Sequence, residues 1–191
     1  MSLQPKAYIT PEDYLAIERQ AEYKSEYFNG EMFAMAGVSE RHATIIANTM
    51  YVFVGQLKGR PCKAYSNDLR VRVSPTGLYT YPDIVVVCGQ AQFADDHKDT
   101  LLNPTLIVEV LSESTKDYDR GEKFEHYRSL ASFNEYVLIA QERHHVEHCV
   151  RQPDNRWLLA ETNRRADALQ LSSISCTLAL TEIYDKVEMA L

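Results

Sequence analysis

Leu106-Ile107-Val108-Glu109-Val110-Leu111 is the stretch on which the fold of this chain turns. Five of its six residues are aliphatic, and they are consecutive rather than alternating, which marks a central strand covered on both faces. Upstream, Pro82-Asp83-Ile84-Val85-Val86-Val87 reads the same way. A carboxylate inside such a run is expensive to bury without a partner, and acids are among the side chains least often fully buried. Glu109 therefore asks for a counter-charge, and Asp83 opens the second apolar strand.

Lys123, in Asp119-Arg120-Gly121-Glu122-Lys123, is the nearest candidate counter-charge. From Ser112 back to Glu109 is about 10 Å of strand at ~3.3 Å per residue. From Thr115 forward to Lys123 is about 12 Å of helix at ~1.5 Å per residue. A helix that folds back antiparallel over the sheet brings Lys123 level with Glu109, within reach of its four-carbon stem. Taken singly, Asp83 reads as a turn or capping acid, Glu109 as half of a structural ion pair, and Lys123 as a surface residue paired with Asp119. Together, two acids and a reachable ammonium are the parts of a metal-dependent phosphodiesterase centre.

The remaining sequence bounds this reading. A chain of 191 residues, 45% hydrophobic and 25% charged, fits one domain, 1–191, of ordinary globular composition. No apolar run approaches the roughly 20 residues of a membrane span, and the first ten residues lack the apolar core of a secretion signal. Cys62, Cys88, Cys149 and Cys176 are scattered without a CxxC pair, which favours buried free thiols in a reducing cytoplasm over a zinc site or disulfide framework. The net charge of −7 is wrong for bulk electrostatic attraction to nucleic acid. Any DNA contact must come from a local patch. Arg70 and Arg72, alternating on one strand face and helped by Lys58, Arg60 and Lys63, form the best one, although a solvated strand face is the commoner fate of such residues.

Periodicity predicts a helix from Thr10 to Gln20 with Pro11 at its start. A hairpin turns at Asn29-Gly30, and a longer helix is capped by Ser39 and ends at Gly59. Strands follow at 62–65, 69–73, 82–87, 106–111, 134–140, 145–151 and 157–161, with a mobile loop at 89–103 and helices from Ser114 to Leu130 and from Leu180 to Leu191. This pattern is an α/β domain around a mixed sheet flanked by helices. His144 and His148 share a strand face about 13 Å apart, too far to chelate one ion, so that segment reads as an edge-strand surface. Ser112 and Ser114 lack a GxSxG elbow, and no phosphate-cradling glycine loop is present.

Tyr27-Phe28-Asn29-Gly30-Glu31, His42, Tyr81-Pro82-Asp83, Ile107-Val108-Glu109-Val110-Leu111-Ser112-Glu113-Ser114-Thr115 and Tyr118-Asp119-Arg120-Gly121-Glu122-Lys123 together resemble the Uma-two family of restriction-endonuclease-like proteins, within the PD-(D/E)XK nuclease superfamily. The resemblance covers Thr10 to about Tyr184. It implies a restriction-endonuclease-like core and a divalent-metal-dependent DNA endonuclease that hydrolyses phosphodiester bonds. It makes Asp83, Glu109 and Glu26 metal ligands for Mg2+, with Mn2+ a substitute, and makes Lys123 a migrated form of the superfamily lysine. Outside that resemblance, Glu26 reads as an exposed strand acid. His42 becomes a phosphate or water contact, though an ordinary surface histidine is an equal reading. The superfamily lysine normally stands two residues after the acid, where this chain has Leu111. That departure leaves open a DNA-binding or assembly module that keeps the nuclease fold without turnover. Cutting both strands of a duplex suits a homodimer.

Overall fold

Thr10 begins the first helix in the way its position predicts. Its hydroxyl accepts the amide of Asp13 at 3.1 Å, Pro11 fills the first helical position, and α1 runs Pro11–Glu18. In the structure, a computed structural model describing residues 8–189, a hairpin follows, with β1 at Ser25–Phe28 and β2 at Glu31–Ala34. Asn29 and Gly30 both take positive φ, 48° and 84°. That is the left-handed turn whose twist matches paired strands. The hydroxyl of Ser39 accepts the amide of His42 and starts α2, Glu40–Leu57.

Next come β3 (Cys62–Ser66), β4 (Arg70–Val73), β5 (Leu78–Thr80), β6 (Ile84–Cys88), β7 (Thr100–Leu101) and β8 (Leu106–Leu111). Two short helices, α3 (Lys116–Arg120) and α4 (Glu122–Arg128), lead to β9 (Glu135–Ala140), β10 (Val146–Arg151) and β11 (Trp157–Thr162). The order closes with β12 (Ala168–Leu171), β13 (Cys176–Ala179) and α5 (Leu180–Ile183).

A six-stranded sheet in the order β11-β10-β9-β8-β6-β3 is the backbone of the fold. β8 pairs parallel with β9 and every other pairing is antiparallel, so the sheet is mixed. A second, five-stranded sheet runs β2-β1-β5-β4-β7. As their continuous apolar runs predict, β6 and β8 lie inside the main sheet, and the residues Ile84–Val87 and Leu106–Leu111 are all buried. Alternation then divides β8 between two cores. Leu106, Val108 and Val110 join Ile45, Val52 and Phe53 of α2. Ile107 and Leu111 join Val71, Val73 and Leu78 of the second sheet, together with Tyr127 of α4. Glu109 shares the parity of Ile107 and Leu111, so it faces the layer between the sheets.

Several sequence expectations are corrected. Arg70 is not part of a solvated basic face: it is buried, bonds Thr100 and the Tyr81 hydroxyl, and lies over the rings of Tyr14 and Tyr81. Arg72 stacks over Tyr79. The two arginines alternate as expected, but their common face meets a tyrosine cluster. β10 is flanked by β9 and β11 rather than lying at an edge, and His145 and His148 are buried. The helix expected from Ser114 to Leu130 breaks at Gly121, whose backbone leaves the helical region (φ −99°, ψ −102°). The terminal helix stops at Ile183 among the described residues. No helix of the described residues is long and apolar enough to cross a membrane.

The thiol expectation holds for Cys149 and Cys176, which are free and buried, and fails for the other two. Cys62 and Cys88 stand directly opposite each other on β3 and β6 and form a disulfide. Strand register, which spacing alone does not reveal, brings them together. Closing a loop with a sequence separation of 26 residues restricts the unfolded chain by about 3.5 kcal/mol in the loop-entropy account. Cys62→Ser should therefore lower unfolding stability by roughly that amount, measured in urea without reductant. A thiol titration of the denatured, unreduced wild type should find two thiols, not four.

The segment 89–103 is tied down rather than free. Arg19 bonds Asp99 at 2.7 Å and Asp95 at 2.6 Å, and β7 pairs with β4. The Arg19 guanidinium holds the Asp99 carboxyl well below the usual carboxylate range. A carboxyl depressed in the fold adds stability above its unfolded pKa, and that stability is lost as acid protonates it. Wild-type stability should therefore decline as pH falls below about 4. Asp99→Asn should be less stable at neutral pH and show a shallower acid slope.

Candidate active site

Three elements bring the acids and the lysine together. β8 presents Glu109 into the layer between the sheets, β1 presents Glu26 from the second sheet, and α4 supplies Lys123 from the helical side. The Lys123 ammonium lies 2.9 Å from Glu109 Oε1, 3.4 Å from Glu26 Oε1 and 3.5 Å from Asp119 Oδ1. The rises of strand and helix bring Lys123 level with Glu109, as the sequence predicts, even though the helix between them is broken. Gly121 accommodates the break: a Cβ there would come 3.0 Å from the carbonyl oxygen of Asp117.

Asp83 sits at the mouth of β6, and both its oxygens are used. Oδ2 accepts the Val110 amide at 2.7 Å and Oδ1 meets His42 Nε2 at 3.0 Å. The Asp83 amide donates in turn to Glu109 Oε2 at 3.3 Å. Asp83 and Glu109 are thereby linked through the backbone of adjacent strands. His42 is buried, not a surface histidine, and its backbone helps close a hydrogen-bonded circuit. Its amide donates to the Ser39 hydroxyl, that hydroxyl donates to Gln141 Oε1 at 2.5 Å, and Gln141 Nε2 donates to the Leu111 carbonyl at 3.1 Å.

The electrostatics follow from crowding. Glu26, Asp83, Glu109 and Asp119 are four carboxylates, and Lys123 is the one ammonium among them. Burial pushes Glu109 up to about 8; Asp119 and Asp83 add to the rise while Lys123 opposes it. Burial likewise raises Asp119, again against the pull of Lys123. Burial disfavours the charged form of Lys123, but Glu109 and Glu26 outweigh that and hold it firmly protonated. Tyr127 remains a phenol, kept so first by burial, and donates to Glu109 Oε1 at 3.0 Å. A buried site with more acid than base offsets the surplus by holding protons or by taking up a cation.

The donor set suits a hard divalent ion, since every candidate ligand is a carboxylate oxygen. In this arrangement the ammonium meets two of those ligands, Glu109 and Glu26, together with Asp119. Among the described residues no three His, Cys, Asp or Glu side chains are already arranged around a metal position. Glu26 instead pairs with Lys123 and accepts the Thr80 hydroxyl.

Sequence reasoning singled out Asp83, Glu109, Glu26, Lys123 and His42, and the fold gathers all five into one connected cluster. It missed Tyr127, Thr80 and Gln141. Tyr127 stands one helical turn after Lys123, a spacing that could have suggested it. Thr80 and Gln141 carry no local signal, because their roles depend on where distant strands end.

A mixed sheet flanked by helices, with one acid in a central strand, another at the start of the strand beside it and a lysine returning from the following helix, is a nuclease-type architecture. The chain belongs to the Uma2 family, described as "Putative restriction endonuclease", which matches residues 11–181. Two Synechocystis sp. (strain ATCC 27184 / PCC 6803 / Kazusa) proteins are similar to it. "Uncharacterized protein sll1609" is 35% identical over 153 residues, covering 80% of this chain and 86% of that protein. "Uncharacterized protein slr1290" is 34% identical over 178 residues, covering 92% and 91%. A crystal structure described as a putative nuclease belonging to DUF820, from Anabaena variabilis ATCC 29413, superposes with a TM-score of 0.74. At 16% identity, covering 94% of this chain and 99% of that one, it bears on the fold alone.

Proposed function

We propose that this protein is a divalent-metal-dependent endonuclease that hydrolyses phosphodiester bonds in DNA. The observation that carries the reading is the convergence of Glu109, Glu26 and Asp119 on Lys123, with Asp83 tied to Glu109 on the adjoining strand. Asp83, Glu109 and Glu26 would hold Mg2+, or Mn2+ in its place. When bound, the ion lowers the pKa of a coordinated water and offsets charge developing on the phosphate.

The chain's own groups supply the rest. The Lys123 ammonium has three donors on a flexible stem, so it can leave one carboxylate and balance phosphate charge or orient the attacking water. The Val110 amide and His42 hold the Asp83 carboxylate from opposite sides and set its direction. His42, at the start of α2 and 3.0 Å from Asp83, would hand a proton to or from a water beside that carboxylate. Tyr127 fixes one oxygen of Glu109. Loss of the Leu111-position lysine is compensated in this scheme by Lys123, which reaches the same acid from α4. A homodimer would set two such centres on opposite strands of a duplex.

The second reading, a DNA-binding or assembly module without turnover, is favoured by the same ammonium seated among the carboxylates. Supercoiled plasmid separates the two. The endonuclease should nick it with added Mg2+ or Mn2+, and EDTA should stop the reaction. Metal binding without any cleavage of DNA would favour the module.

A further inference from the structure

β1 places more than Glu26 on the face that meets α4. Side chains two apart on a strand share a face, and so do directly opposed residues of an antiparallel pair. Phe28 follows Glu26 by two residues, and Phe33 of β2 stands directly opposite Glu26. Contacts with α4 bear this out: Glu26 meets Lys123, and Phe28 meets His126 three residues later, ring centroids 4.7 Å apart at 70°. Both phenylalanines nevertheless remain open to solvent, Phe28 36% and Phe33 50% exposed. Two exposed aromatic rings therefore stand beside a carboxylate of the candidate phosphodiester centre. Opposed Cβ atoms lie only about 5 Å apart.

An aromatic face is a sequence-tolerant platform for an unstacked nucleobase. It also answers a problem set by the charge. With a net charge of −7 and Arg70 buried among tyrosines, the expected basic patch is reduced to Lys58, Arg60 and Lys63, which weakens the electrostatic attraction on which duplex binding usually depends. Stacking supplies affinity without counter-charge. The hairpin that carries Phe28 and Phe33 also carries Glu26, 3.4 Å from the Lys123 ammonium, so the rings flank the group proposed to meet phosphate. A paired base inside a duplex offers its face to its neighbours and not to a protein ring.

We infer that Phe33, supported by Phe28, is a base-stacking subsite that directs the centre to DNA with unpaired bases. The identity of the ligand as DNA rests on the endonuclease reading; the stacking surface itself does not. A short single-stranded oligodeoxynucleotide carrying 2-aminopurine, added to wild-type protein in EDTA, should bind with a change in the probe's fluorescence. The same sequence as a duplex should bind more weakly. Phe33→Ala should weaken single-strand binding roughly 5- to 150-fold, and Phe33→Tyr should restore it. The subsite is refuted by an alanine variant that binds like wild type, by equal affinity for single strand and duplex, or by no binding of the single strand. Cleavage of plasmid together with any of these would sink the subsite and spare the endonuclease. Ring-dependent binding with no cleavage under any metal would do the reverse.

Discussion

Lys123→Met should destabilise the protein by about 3–5 kcal/mol and reduce plasmid nicking to background. The ammonium is buried and is shared by Glu109, Glu26 and Asp119. Methionine keeps most of the volume, so packing loss is small, and the effect isolates the charge. Without the lysine, acids of which Glu109 and Asp119 are fully buried are left facing one another, and their ionised forms lose their counter-charge. Urea unfolding at neutral pH with an unchanged m value measures the stability change. The same carboxylates should then recruit an outside cation more strongly, so Mg2+ should recover part of the lost stability. A variant as stable as wild type would mean that the Lys123 contacts contribute little. A stable variant that still nicks DNA would remove Lys123 from the proposed mechanism.

The second large effect is expected at Asp83, and it should fall on activity while leaving the fold in place. Asp83→Asn is isosteric. Its carbonyl oxygen can still accept the Val110 amide, and its amide can face His42 in the tautomer that leaves Nε2 as acceptor. The anionic ligand is lost. Changes to groups that merely support a metal ligand typically cost 10–100-fold, so nicking should drop by at least about 100-fold. Metal-induced stabilisation reads the same loss without any cleavage. At a hundred times its Kd, a bound ion adds about 2.7 kcal/mol. Wild type should show that gain with Mg2+, and Asp83→Asn should show much less of it. Equal metal stabilisation in the two proteins would remove Asp83 from the ligand set.

The correct and incorrect expectations divide by range of interaction. The central strands were legible because being covered on both faces forces consecutive aliphatics, as in Ile84–Val87 and Leu106–Leu111. Helix starts at Pro11 and Glu40 were legible because Thr10 and Ser39 cap them through contacts three residues long. The Lys123–Glu109 contact was reachable from rises alone, since both residues flank a single turn of chain. The basic patch failed because alternation gives a face but not what covers it: the Tyr14 ring comes from α1, and the Tyr79 and Tyr81 rings from β5 and the residue just past it. The free-thiol expectation failed at Cys62 and Cys88 for the same reason, since they meet only through the register of β3 on β6, while it held at Cys149 and Cys176.

By itself, the sequence determined that one acid would be carried in a buried strand and another at the start of a neighbouring one, that a lysine would lie within reach of the first, and that the chain would build a mixed α/β sheet. Those outcomes follow from burial costs and local geometry, which act over a few residues. Only the tertiary structure decided that Glu26 would join Asp119 on that lysine, that His42 would be held against Asp83, and that Phe28 and Phe33 would stand open beside them. Each of these depends on how the second sheet and α2 dock on the first. Docking is set by the summed packing of two cores, to which no single stretch of sequence holds the key.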